Sequence, residues 1–238
     1  MRPYSGLDTS STYESLSFRK AAGLTLRPGG TDLTDRALAC CGFGVGSRLL
    51  DVGCGMGASV EHLRSRHGLA AAGIDPSQAF INEGLVRNPA LPLTVGRAEA
   101  LPVAVGEMDG ILCECVLSLV DDPSRVLCEF GRALRRPGGI LILSDLYLRS
   151  PAGEEHVTDL PDRSAPHGVM TRDTLEALLE DCGFALWLWE DHTRLLQELA
   201  ARLVLSHGSL DGLWCVSRDG DCYGERSGYY LLVARKEQ

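Results

Sequence analysis

The chain has 238 residues, with 23 Lys plus Arg against 32 Asp plus Glu and a formal charge of −9. At roughly 100–200 residues per domain this length fits one large domain or a domain with a small appendage, and 45% apolar with 23% charged residues excludes disorder and collagen-like structure. The acidic balance argues against a protein whose main work is gripping nucleic-acid phosphates. No apolar run approaches the roughly 18 residues needed to span a bilayer, because Glu114 interrupts even Ile111–Val120; no membrane insertion is expected. The first residues, MRPYSGLDTSSTYESL, lack the apolar stretch of a secretory signal, and the expected location is the cytoplasm. The nine cysteines are odd in number and dispersed, with Cys40, Cys113, Cys128 and Cys182 in apolar surroundings, so they read as reduced thiols. Cys40/Cys41 and Cys113/Cys115 lack the paired C-x-x-C spacing of a zinc site, and no metal centre is expected.

Tyr4–Gly30 reads as a helix and loop outside the main fold, so residues 1–30 form an N-terminal segment or lid ahead of one domain, 31–238. Alternation then sets in. Ser47–Asp51 is a short apolar strand closed by an acid, followed by a glycine-rich turn at Gly53–Gly57 and a helix, Ala58–His67, stopped by Gly68. Ala70–Ile74 is a second strand ending in an acid, Asp75, and Pro76-Ser77 opens the next helix. Leu91–Val95 and Met108–Cys113 are further strands, Pro123–Leu134 a helix, Arg136–Gly139 a turn and Ile140–Leu143 a fully apolar strand. Thr171–Cys182 is a helix capped by Thr171 and striped by Leu175, Leu178 and Leu179; Phe184–Trp189 is a strand with Trp187 and Trp189 on one face. His192–Leu205 has helical periodicity, and Tyr229–Ala234 is a late strand at an edge of the same sheet.

Strands alternating with helices, each strand continuously apolar, mean an α/β fold whose parallel sheet is covered on both faces. In such doubly wound sheets ligands bind beyond the carboxyl ends of the strands, where the strand order reverses. Asp51, Asp75, Arg97–Glu99, Cys113–Glu114 and Ser144–Tyr147 fall at or just past those ends.

The segment Asp51-Val-Gly-Cys-Gly-Met-Gly57 carries most of the information. Its glycines permit close backbone approach, and the following helix offers unpaired N–H groups at its positive end. Gly53-x-Gly55-x-x-Ala58 also meets the loose dinucleotide fingerprint, so the glycines alone are a weak signal. Asp51 shifts the balance. A carboxylate there repels a pyrophosphate and favours an ammonium or sulfonium, while Asp75 is placed to accept from both hydroxyls of a ribose. The plain alternatives are a turn cap for Asp51 and a helix N-cap for Asp75.

These residues resemble the class I S-adenosylmethionine-dependent methyltransferases, in particular the type 11 small-molecule branch that includes quinone and arsenite methyltransferases. Asp51–Gly57 resembles the first motif of that family, Gly73-Ile-Asp-Pro-Ser77 the second, Gly96-Arg-Ala-Glu-Ala-Leu-Pro102 the adenine-side loop, and Leu134-Arg-Arg-Pro-Gly-Gly139 the turn into the fifth strand. The resemblance implies a Rossmann-like, mostly parallel seven-stranded sheet, with a core at 44–147 and an acceptor-shaping region at 148–228. It implies S-adenosylmethionine (SAM) as cofactor, with Gly53, Cys54 and Gly55 along its methionine part, Asp51 near the amino group and Asp75-Pro76 at the ribose. Arg97, Ala98 and Glu99 would border adenine, the Cys113 carbonyl would face the methionine amino group, and Tyr13 and Arg27 would reach over the cofactor. Arg97 departs from the pattern, since that position often carries an acid; Ser118 and Leu119 stand where relatives often have histidines.

The implied activity is methyl transfer to a small-molecule acceptor by in-line displacement, which needs alignment more than acid–base help. Glu114, Asp145 and Tyr147 are the candidates for accepting an acceptor's proton. Cys113 and Cys115, two apart on a strand, can face one cavity or simply pack. His156 and His167 lie in Ser150–Gly168, a loop long enough to be a lid or substrate wall. A nicotinamide-dependent oxidoreductase on the same turn, or a SAM-binding regulator without catalysis, are the rival readings. No motif indicates the acceptor or an oligomeric state.

Overall fold

The computed structural model describes residues 23–149, 169–207 and 227–237; Tyr13, His156, His167 and the loop Ser150–Gly168 lie outside them. The strands are β1 (Arg48–Val52), β2 (Ala70–Asp75), β3 (Leu93–Val95), β4 (Gly110–Glu114), β5 (Ile140–Leu148), β6 (Phe184–Asp191) and β7 (Ser227–Lys236), in one seven-stranded sheet of order β3-β2-β1-β4-β5-β7-β6. The first five pair in parallel, and β7 runs antiparallel to both neighbours. The late strand is therefore interior, and β6 is the edge.

Alternate side chains of each strand enter opposite cores. Leu50, Val52, Ile111, Cys113, Leu141 and Leu143 pack on one face with Phe130 of α4 (Pro123–Ala133) and Leu175 of α5 (Arg172–Asp181). Leu49, Leu112, Ile140 and Ile142 pack on the other, with Leu33 of α1 (Gly30–Cys41), Leu63 of α2 (Ala58–His67), Ile81 of α3 (Gln78–Arg87) and Leu196 of α6 (Thr193–His207). A sheet wetted on neither face explains its uninterrupted apolar strands. Helix α1 was not foreseen, although Leu33, Ala37, Leu38 and Cys41 fall on one face at spacings of four, one and three.

Local chemistry sets the helix starts. Ser77 accepts from the Phe80 N–H at 3.3 Å, Asp122 from Arg125 at 3.0 Å with Pro123 behind it, and Thr171 from Thr174 at 3.3 Å. β5 runs five residues past Leu143 because its polar residues are satisfied where they are buried. Ser144 accepts from the Tyr229 hydroxyl at 3.2 Å, and Asp145 accepts from the Ser118 N–H at 2.9 Å. In β6 a register shift between Leu186 and Leu188 breaks the alternation. Trp187 is consequently half exposed beneath Arg235, while Trp189 stacks on Tyr230 at 4.7 Å, so the two tryptophans do not share one environment.

Candidate functional site

β1 is flanked by β2 and β4, so the strand order reverses there, and a cavity of about 280 Å³ opens beyond those carboxyl ends. Among its lining are Gly53, Cys54, Gly55, Asp75, Pro76, Arg97, Ala98, Glu99 and Glu114. Leu24, Leu26, Phe80, Val116, Leu119 and Val120 supply apolar wall. Its size lies near the lower end of small-ligand sites, roughly 300–1,000 Å³.

The glycine turn is built from inside. The Gly53 and Cys54 N–H groups donate to the Ile74 carbonyl at 2.8 and 2.9 Å, and Gly57 donates to Cys54 at 2.9 Å. Gly53 has φ 76°, and a Cβ there would run into the Val116 side chain, so the position needs glycine twice over. Asp75 joins the turn to the next helix: Oδ2 accepts from the Gly55 N–H and Oδ1 from the Ser77 N–H, each at 2.8 Å. The non-glycine residues with left-handed φ among those described, Leu26 at 55° and Cys115 at 57°, both lie on the cavity wall. Such strain persists only where the surroundings enforce it.

Behind the wall lies a buried polar network that sequence reasoning did not assemble. Arg27, 3% exposed, pairs with Glu114 (Nη2–Oε2 2.6 Å) and donates to the Thr34 hydroxyl, which itself donates to Glu114 at 3.2 Å. The Ser144 hydroxyl reaches Glu114 at 3.5 Å, and Cys115 Sγ lies 3.2 Å from the Tyr229 hydroxyl. Arg27 Nε is buried with no hydrogen-bond partner. The signal that could have found this network is Thr34 on the apolar face of α1.

Charge is unevenly distributed. Burial, with repulsion from Glu114, pushes the Asp51 carboxyl up to about 8, against the opposing pull of Arg27. Burial also raises Glu114, which Arg27 and Thr34 hold back. The Arg27 guanidinium is disfavoured by burial but is left more firmly charged by Glu114. Arg97 and Glu99 pair at 3.1 Å nearer the surface.

The remaining predicted residues are close by but off the cavity lining. Asp51 is buried next to Glu114 and Asp75. Asp145 caps the short 3-10 turn Leu117–Leu119, whose last residue lines the cavity. The Tyr147 hydroxyl donates to Asp191 at 2.6 Å; burial first and then Asp191 push it up to about 12. The Cys113 side chain packs in the core facing α4, whereas Cys115 packs against the opposite core and borders the cavity. β4 ends at Glu114 and the left-handed Cys115 breaks the alternation, so the two thiols do not face one cavity.

The profile of the methyltransferase domain family matches residues 50–143. An O-methyltransferase from Pyrenophora dematioidea is 27% identical over 202 residues, covering 80% of this chain and 75% of the relative. An arsenite methyltransferase from Halobacterium salinarum is 30% identical over 151 residues, 58% of this chain and 37% of the relative. Among solved structures the [4+2]-cyclase SpnF superposes with a TM-score of 0.75 at 24% identity, over 96% of this chain and 94% of that one, and so shares the fold. The chain spans about two thirds or less of the length of several curated relatives it matches.

Proposed function

We propose that the chain is a class I, SAM-dependent methyltransferase, a reading supported by the family profile over residues 50–143, and that it transfers a methyl group from SAM to a small-molecule acceptor. The observation that carries this reading is the charge around the cavity. Three buried carboxyl groups, Asp51, Asp75 and Glu114, lie on or just behind the cavity wall, against one buried guanidinium, Arg27. Asp75, together with Glu114 beside Arg27, leaves the wall acidic, and Asp51 adds charge as the pH approaches 8; this suits a ligand bearing an ammonium and a sulfonium and counts against the pyrophosphate of a nicotinamide dinucleotide.

When bound, SAM supplies an activated methyl group that an acceptor displaces in line. Toward it, Asp75 offers its carboxylate to the ribose from a position already fixed by Gly55 and Ser77. Ala98 and Glu99 border the adenine end, where the Glu99 carboxylate provides the acceptor that Arg97 cannot. Asp51, buried behind the cavity lining, acts on the ammonium through its field rather than by direct contact. Glu114, held by Arg27 and Thr34, positions and balances charge rather than taking a proton. Asp145 and Tyr147 act at one remove, through the 3-10 turn and through Asp191. Residues 1–30 and 148–228 contribute the cover and the acceptor wall, and the chain works in a reducing cytoplasm that keeps its thiols free. Among the described residues no helix is long and apolar enough to cross a membrane.

Incubation with methyl-labelled SAM and a small-molecule extract should transfer label to a low-molecular-weight product. If NAD raises the melting temperature while S-adenosylhomocysteine (SAH) does not, the reading fails; SAH binding with no labelled product from any acceptor would favour the non-catalytic regulator. The pH dependence follows from Asp51. Below about 8 its carboxyl takes up a proton and loses its attraction for an ammonium, so SAH affinity should rise up to about tenfold per pH unit between pH 6 and 7.5. Calorimetry of Asp51→Asn should give weaker binding and a flat profile. The ligand-free chain should behave oppositely: a carboxyl raised above its unfolded value binds a proton on folding, so stability falls as pH rises from about 4 to 8.

A further inference from the structure

One residue beyond Thr34, Asp35 meets two histidines of α2. Its Oδ1 lies 2.6 Å from His62 Nε2 and 2.7 Å from His67 Nε2, and the three atoms all fall within 4.8 Å of one another. The imidazole rings stand edge to face at 5.3 Å. All three side chains are partly exposed, at 40%, 20% and 30%. As an exposed ion pair this cluster would contribute little to stability, a poor reason to point two histidines at one carboxylate oxygen.

The geometry points to a divalent transition-metal site formed by Asp35, His62 and His67, outside the cofactor cavity. Two imidazoles and one carboxylate suit zinc, cobalt or nickel, not magnesium or calcium, which prefer all-oxygen shells. A tetrahedral ion with bonds of about 2.0–2.2 Å holds its ligands about 3.3 Å apart. Each nitrogen need only part from the oxygen by about 0.6 Å, which small side-chain rotations supply at partly exposed positions. His67 is the last residue of α2, and the negative end of the helix dipole favours a cation there. A second cavity, about 190 Å³ and bordered by Asp35 and His67, leaves room for water to complete the shell. The ion would clamp α1, which carries Thr34 to Glu114, onto α2, which begins at the glycine turn.

The test uses tag-free full-length protein titrated with Co²⁺. One ion per chain should bind, with d–d bands and no thiolate charge-transfer band, since no cysteine is a ligand. A hundredfold excess over Kd should raise the melting temperature by about 5 °C or more. Loss of an outer-shell partner alone costs roughly 10–100-fold in affinity, so His62→Gln and His67→Gln should each weaken binding at least that much, while metal-free variants melt within a few degrees of the parent. Absence of cobalt uptake would overturn the proposal, and so would uptake unchanged in the doubly substituted chain or carrying thiolate charge transfer.

Discussion

Replacing Asp75 with alanine should lower SAH affinity by about 100-fold or more and also reduce the melting temperature. Both losses have the same origin. The carboxylate accepts from the Gly55 and Ser77 N–H groups, and hydrogen bonds to a charged acceptor contribute roughly 1.5–3 kcal/mol each. Alanine frees the glycine turn from the start of α3 and removes the acceptor proposed for the ribose, so binding loses a direct contact together with its preorganisation. Asp75→Asn separates charge from shape. Its side-chain oxygen can serve one of the two N–H groups while its NH₂ confronts the other, so binding should remain weak although the side chain is nearly isosteric. Isothermal titration together with a thermal melt decides the matter: unchanged affinity in Asp75→Ala would remove Asp75 from the ribose role, whatever the melt shows.

That prediction uses residues that can be read from the chain alone, and the reason is physical. Asp51, Gly53, Gly55 and Asp75 lie within one strand–turn–helix–strand unit, where spacing fixes geometry. The parallel sheet was equally readable, because strands buried on both faces must be continuously apolar. What escaped depends on long-range packing. Ser144 and Asp145 look like the end of a strand, yet they are interior residues satisfied by Tyr229 and Ser118, which are remote in sequence. The bulge that separates Trp187 from Trp189 is a property of pairing with β7, not of β6 itself. Interior placement of β7 likewise follows from which strands it joins. The Arg27–Thr34–Glu114 network spans 87 positions from end to end, and its one local trace is Thr34 on the apolar face of α1.

Arg27 carries the largest expected effect on stability. The family resemblance placed Arg27 over the cofactor; in the fold its guanidinium is committed to Glu114 and Thr34, with Nε–H still unpartnered. Removing one member of a buried ion pair strands the other, at a cost of about 3–5 kcal/mol, and here it exposes Asp51 to the same uncompensated field. Arg27→Ala should therefore destabilise the ligand-free chain by about that much in a chemical melt. The deficit should depend on pH. Without the guanidinium, the folded-state pKa of Glu114, already raised by burial, rises further, so the deficit should be smallest in acid and should grow as the pH rises. Arg27→Met combined with Glu114→Gln removes both charges and should recover much of the loss, giving a coupling energy in the double-mutant cycle. A single variant as stable as the parent at pH 8 would mean that water, not Arg27, neutralises these carboxylates, and the charge balance proposed to select a cationic cofactor would lose its foundation.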